Sequence, residues 1–176
     1  MIIEFFRKKI LQKQFFARQS WKHQDKNYIS NIFDELNFEY KRYGNKNPNI
    51  FFYLIRRSPG AGFFSNLNFI IHNLWICDQL KMVPVIDMKN YINLYNCKIK
   101  INNSYNVWDY YFKPTSKYKL EEVYKSKNVI ICDNRTSKKG FSFSNFKSNF
   151  KYFNGFENLD NRHKKIVKKY IRFDKK

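Results

Sequence analysis

The chain has 176 residues, 43% hydrophobic and 20% aromatic, which suffices for one domain with a real core and excludes disorder as the default. Its formal charge of +20 invites a polyanion, but Lys, Asn, Ile, Phe and Tyr are abundant together, as an AT-rich coding sequence gives. Charge alone therefore selects no partner, and nucleic acid is disfavoured. No apolar run approaches the length needed to cross a bilayer, and Glu4, Arg7, Lys8 and Lys9 interrupt the apolar start, unlike a secretory signal.

Residues 1–48 read as a basic, aromatic, partly helical extension. "IIEFFRKKILQKQFF" shows no clean apolar stripe. It reads as a helix packed on the domain, with a surface anchor on anionic lipid as the alternative. "YGNKNPN" (43–49) is a loop by its Gly, Asn and Pro content. From residue 49 the pattern is that of an α/β domain. Ile50–Ile55 is continuously apolar and β-branched or aromatic, a buried strand. Ser65–Leu80 has Leu67, Ile71 and Leu74 on one face, and Ser65 is the expected N-cap. Val83–Asp87 is a second buried strand. Strand, helix and strand over short connections predict a βαβ unit with parallel strands.

"NVWDYYFKP" (106–114) is a short aromatic segment closed by proline. "SKYKLEEVYKS" (116–126) carries Leu120, Val123 and Tyr124 at helical spacing. "NVIICD" (128–133) is a third buried strand, expected beside the other two, and residues 134–150 are a polar, aromatic loop. "ENLDNRHKKIVKKYIRF" is a final basic helix with Leu159, Ile166, Val167 and Tyr170 as its apolar positions. Cys77, Cys97 and Cys132 form no close pair and leave one over, which points to a reducing compartment, with Cys77 and Cys132 as core residues. His23, His72 and His163 share no metal-ligand spacing.

The turn between the first strand and its helix, "RRSPGAGFFSN", carries the sharpest chemistry. A helix N-terminus offers free amides and a positive dipole end, and glycines let backbone approach a phosphate. Gly60, Ala61, Gly62, Phe63, Ser65 and Asn66 are placed for that work, with Arg56 and Arg57 as charges for a diphosphate. Asp87 ends the second strand at the edge where ligands of open α/β sheets bind. "GAGFFS" also fits G-x-G-x-x-S with an acid about 25 residues later, so a dinucleotide-binding oxidoreductase is an alternative. Against it stand Ser65 in place of the third glycine and the polar insert "RRSP" after the strand. A turn that binds nothing is the plain structural alternative.

The ordered combination of "RRSPGAGFFSNLNFIIHNLWICDQLKMVPVIDMKNYINLYN" with "NVWDYYFKPTSKYKLEEVYKSKNVIICDN" resembles bacterial and viral surface-polysaccharide glycosyltransferase-like proteins, distantly similar to fucosyltransferases that use GDP-fucose. The resemblance covers about residues 50–134. It implies a Rossmann-like parallel sheet with flanking helices, similar to the N-terminal domain of a GT-B enzyme. It also implies transfer of a sugar from a nucleotide donor to a glycan acceptor. The glycine turn would then touch the donor phosphates. The His-x-Arg-Arg-like stretch of such enzymes' second domain does not follow residue 134; "NRHKK" (161–165) lacks that order. The chain is therefore expected to act as an N-terminal half, weak or inactive without a second domain, itself an expected partner. Asp87 is the candidate acid or base, and Trp108 and Asp109 are candidates for holding the acceptor. No DxD-like pair is present, so no metal or other cofactor is expected. The expected location is cytoplasmic, with peripheral contact at the inner face of a membrane. A non-catalytic basic module binding nucleic acid or anionic membrane is the rival from a different class.

Overall fold

A computed structural model of the chain describes residues 39–56, 62–90, 93–132 and 156–173, with side chains of the last segment described from His163 onward. It is a mixed α/β fold built on a four-stranded, mostly parallel sheet. In chain order the elements are β1 (Glu39–Lys41), β2 (Lys46–Ile55), α1 (Phe63–Gln79), β3 (Val83–Ile86), α2 (Trp108–Tyr111), α3 (Leu120–Val123), β4 (Ser126–Cys132) and α4 (Phe156–Tyr170). Spatial order is β1-β4-β2-β3. The predicted strands are all present, and β2 is parallel to β3 on one side and to β4 on the other, with Ile55 level with both Ile86 and Cys132. This is compatible with the Rossmann-like expectation.

The apolar runs are continuous because both sheet faces are covered. Phe51, Tyr53, Ile55, Ile86, Ile130 and Cys132 point into one core with α1 and with Ile166 and Tyr170 of α4. Phe52, Leu54, Val85, Val129 and Ile131 point into the other, capped by Leu120 and Val123 of α3. A buried polar knot pins α1 to the sheet: the Tyr53 hydroxyl and the Cys132 thiol both donate to Asn73 Oδ1 at 2.9 Å, while Asn73 Nδ2 donates to the Phe69 carbonyl at 2.8 Å. Cys77 and Cys132 are buried and all three cysteines are free.

Four local expectations need correction. The sheet begins earlier than residue 49: β1 pairs antiparallel with β4, and β2 starts at Lys46 inside the expected loop. Asn47 takes a left-handed conformation and the register slips between Lys46 and Phe51, so Asn47 and Pro48 occupy an irregularity where ladder bonds are interrupted. The helix opens at Phe63 with Gly62 as its N-cap, so Ser65 is two residues inside it and exposed. Residues 116–126 form only the single turn α3, because Ser126 already belongs to β4. Val83–Ile86 is the strand, and Asp87 follows it. The expected helical part of residues 1–38 and the expected loop at 134–150 lie outside the described residues.

Helix α1 ends without glycine. Lys81 takes the left-handed conformation, its N–H donates to the Asp78 carbonyl at 3.2 Å, and the Met82 N–H reaches back to the Cys77 carbonyl at 3.1 Å. This six-to-one and five-to-two closure turns the chain directly into β3.

Candidate functional site

The carboxyl ends of β3, β2 and β4 lie side by side, the Asp87 N–H donating to the Ile55 carbonyl and the Arg56 N–H to the Cys132 carbonyl. Ligands of open α/β sheets bind beyond such an edge. Of the phosphate-turn candidates, Arg56, Gly62, Phe63, Ser65 and Asn66 are described; Arg57, Gly60 and Ala61 lie outside the described residues. Gly62 is exposed, and a Cβ built on it meets no atom within 4 Å. Phe63 packs edge-on against Tyr111 and Tyr95 at 5.4 and 6.0 Å, while Asn66 is buried in the helix behind it.

Asp87 is fully buried. Its Oδ1 accepts the backbone N–H groups of Lys89 and Asn90 at 3.1 and 2.8 Å, and its Oδ2 accepts Asn90 Nδ2 and the Tyr124 hydroxyl. A carboxylate so occupied shapes the loop after β3 and has no face for an acceptor hydroxyl. Burial, and then the Asp87 hydrogen bond, raise the Tyr124 phenol above its ordinary range, with the Arg56 charge pulling the other way. Tyr43 packs edge-on to Tyr124 at 4.8 Å and feels the same two influences of burial and Arg56. Asp87, Tyr124, Tyr43 and Arg56 thus form one polar group, of which the sequence reading named only Asp87 and Arg56.

A cavity among the described residues lies elsewhere. A cleft of about 610 Å³ opens over the β3 end of the sheet, walled by the Lys100–Asp109 stretch on one side and by Pro114–Glu121 on the other. Asn106 hinges its floor: its Oδ1 accepts the Met88 N–H at 2.8 Å and its Nδ2 donates to the Ile86 carbonyl at 3.0 Å. Asp109 sits in the wall and accepts the Ser104 hydroxyl at 2.8 Å. Burial pushes its carboxyl above the ordinary carboxylate range, against the pull of hydrogen bonds from Ser104 and Asn106. Lys89 and Glu121 form a 3.2 Å ion pair in the same lining. Trp108 is buried, its indole N–H donates to the Lys113 carbonyl, and its ring lies 4.5 Å from that of Phe112. It is a packing residue with an edge on the cleft.

The cleft lining thus contains Trp108 and Asp109 but none of the described phosphate-turn residues nor Asp87. Trp108 also borders a small apolar groove with Phe63 and Asn66, so the 106–112 segment is a shared wall rather than a shared cavity. The sequence reading missed Asn106, Ser104 and the 114–121 wall. Their only signal was the turn-forming composition of "NNSYN" and "KPTSK".

Among the described residues no group of three or more His, Cys, Asp or Glu side chains is arranged to hold a metal ion, and no helix is long and apolar enough to cross a membrane. No family model, curated protein or solved structure matches the chain.

Proposed function

We propose that this chain is a glycosyltransferase-like α/β domain of surface-glycan synthesis, taking the diphosphate of a nucleotide sugar at the start of α1. One observation carries the reading: a parallel β–α–β unit sets an exposed glycine N-cap, where a Cβ would meet no atom of the described residues, at the carboxyl edge of the sheet. Backbone amides there meet phosphate without a side chain in the way, and the helix dipole adds to them. GDP-fucose is the donor the sequence resemblance suggests, a glycan the acceptor, and a second GT-B domain the facing wall of the cleft. Asp109, expected to hold the acceptor, also takes over from Asp87 as the candidate acid or base, because it lines the cleft whereas Asp87 is fully buried. The site belongs in the cytoplasm, where nucleotide sugars are made, with contact to a membrane face through basic surface.

Exposed cations among the described residues lie on several elements: Lys41, Arg42 and Lys46 near β1, Lys81 after α1, Lys98 and Lys113 in loops, Lys164, Lys165 and Lys168 on α4, and Lys100, Lys117 and Lys119 in the cleft lining.

The test is Gly62→Val with GDP and GDP-sugars by calorimetry, beside a transfer assay. A few exposed amide and Arg contacts, at about 0.3–1 kcal/mol each, sum to less than the roughly 4 kcal/mol of millimolar binding, so wild-type binding should be millimolar or weaker. The variant should lose that binding while unfolding within about 1 kcal/mol of wild type, since its Cβ meets nothing. Transfer should appear only when a second domain is supplied. Equal binding by the variant, or equal loss of binding and folding, would leave the turn as a turn.

A further inference from the structure

We infer that the cleft over the β3 end of the sheet binds an anionic sugar, its charged group met by Lys100, Lys117 and Lys119 and its ring set against Tyr105. The volume, about 610 Å³, lies within the roughly 300–1,000 Å³ of sites that enclose small ligands. What decides the ligand's chemistry is which lining groups are already engaged. The two carboxylates are: Asp109 accepts from Ser104, and Glu121 pairs with Lys89. Asn106 and Thr115 are engaged with backbone, Thr115 donating to the Pro84 carbonyl at 3.0 Å. Lys100, Lys117 and Lys119 make no ion pair with the described residues, and the Asn103 amide and Tyr105 hydroxyl make no hydrogen bond with them. Outside the Lys89–Glu121 pair the lining therefore carries three cations against the single carboxylate of Asp109, and its unengaged neutral groups suit hydroxyls.

The aromatic faces add to this. Tyr105 is 42% exposed, with the Lys100 ammonium 5.6 Å from its ring centroid, and Lys117 stands 5.4 Å from the Tyr118 ring. A half-exposed ring with an ammonium over one face offers its remaining exposed surface to the C–H side of a sugar and a charge to its acidic substituent. A carboxylate and a phosphate ester share this chemistry. The binding stands on the cleft itself; only the ligand's role as acceptor rests on the transferase reading.

Amide NMR titration of the full 176-residue chain tests it, with D-glucuronate, a hexose phosphate, glucose and GDP as probes. The acidic sugars should shift resonances of 100–109 and 115–121. The Lys100→Ala/Lys117→Ala variant should bind them roughly tenfold more weakly with an unchanged circular dichroism spectrum. Preference between glucuronate and the hexose phosphate identifies the anion. Equal binding of glucose, shifts outside the cleft, no effect of the double variant, or GDP bound in the cleft would each overturn the inference. If GDP perturbs residues 62–66 while no acidic sugar perturbs the cleft, this inference fails and the donor site stands. If glucuronate perturbs the cleft while GDP perturbs nothing, the transferase reading fails and the cleft site stands.

Discussion

Replacing Asn106 should cost more stability than any polar side chain of its size on an open surface. Its amide ties the 106 stretch to the backbone of Ile86 and Met88. Oδ1 accepts from the Met88 N–H at 2.8 Å, and Nδ2 donates to the Ile86 carbonyl at 3.0 Å. Asn106, Ile86 and Met88 are all buried. Alanine leaves one donor and one acceptor without partners, each at about 1–3 kcal/mol. Water entering from the cleft recovers part of that, so Asn106→Ala should lose about 2–4 kcal/mol. In a chain of this size that lowers Tm by about 5–15 °C. Urea unfolding at constant m-value is the assay.

Asn106→Asp sharpens the test. The carboxylate keeps the acceptor for Met88 but faces the Ile86 carbonyl with an oxygen. Burial and that repulsion raise its folded pKa above the unfolded value, so the native state binds more protons between the two. Stability must then rise as pH falls through the folded pKa, where the neutral acid can donate to Ile86. A loss below 1 kcal/mol for Asn106→Ala, or a pH-independent Asn106→Asp, would refute the reasoning.

Gly44→Ala should destabilise by about 1–3 kcal/mol, because its Cβ would lie 2.5 Å from the Lys125 carbonyl oxygen and backbone would have to move; thermal unfolding reads this, and an unchanged Tm rejects the contact. Tyr124→Phe removes a donor from the buried Asp87 carboxylate and should cost about 1–3 kcal/mol in urea unfolding, with a cost near zero assigning the loop after β3 to its other bonds. His72 is held to a pKa of about 4, first by burial and then by His163, whose ring is 4.7 Å away. With an unfolded value near 6.5, the unfolded state binds more protons between those limits, so stability is full above about pH 6.5 and falls on acidification toward pH 4, by roughly 2–4 kcal/mol. His72→Phe should flatten the profile in that window, and an unchanged slope would assign the acid loss to other groups.

Ile50–Ile55, Val83–Ile86 and the 128–132 stretch were legible as strands because a strand covered on both faces must be apolar at every position, and that run survives in any context. Both long helices were legible as helices, but the stripe of Leu67, Ile71 and Leu74 is not the buried face: Leu67 and Ile71 are half-buried, whereas Phe69, Ile70 and Asn73 through Cys77 are buried, because α1 is covered on most sides. Those elements in that order already required a βαβ unit. What the chain alone did not decide was set by contacts between distant residues. β1 is a strand because β4 offers it an edge, not because "EYK" prefers extension. Lys46–Asn49 joins β2 although Pro48 and two asparagines argue for a loop, because a register slip absorbs them. Asp87 sits at the sheet edge as its position after β3 requires, yet Tyr124, 37 residues away, helps close it off from solvent. The cleft has no linear signature at all: Lys89 and Glu121 pair across 32 residues, and its walls are turns whose composition announces only that they bend. Local pattern determines which residues must be buried; which polar groups remain unengaged in a cavity depends on the partners that folding brings to them.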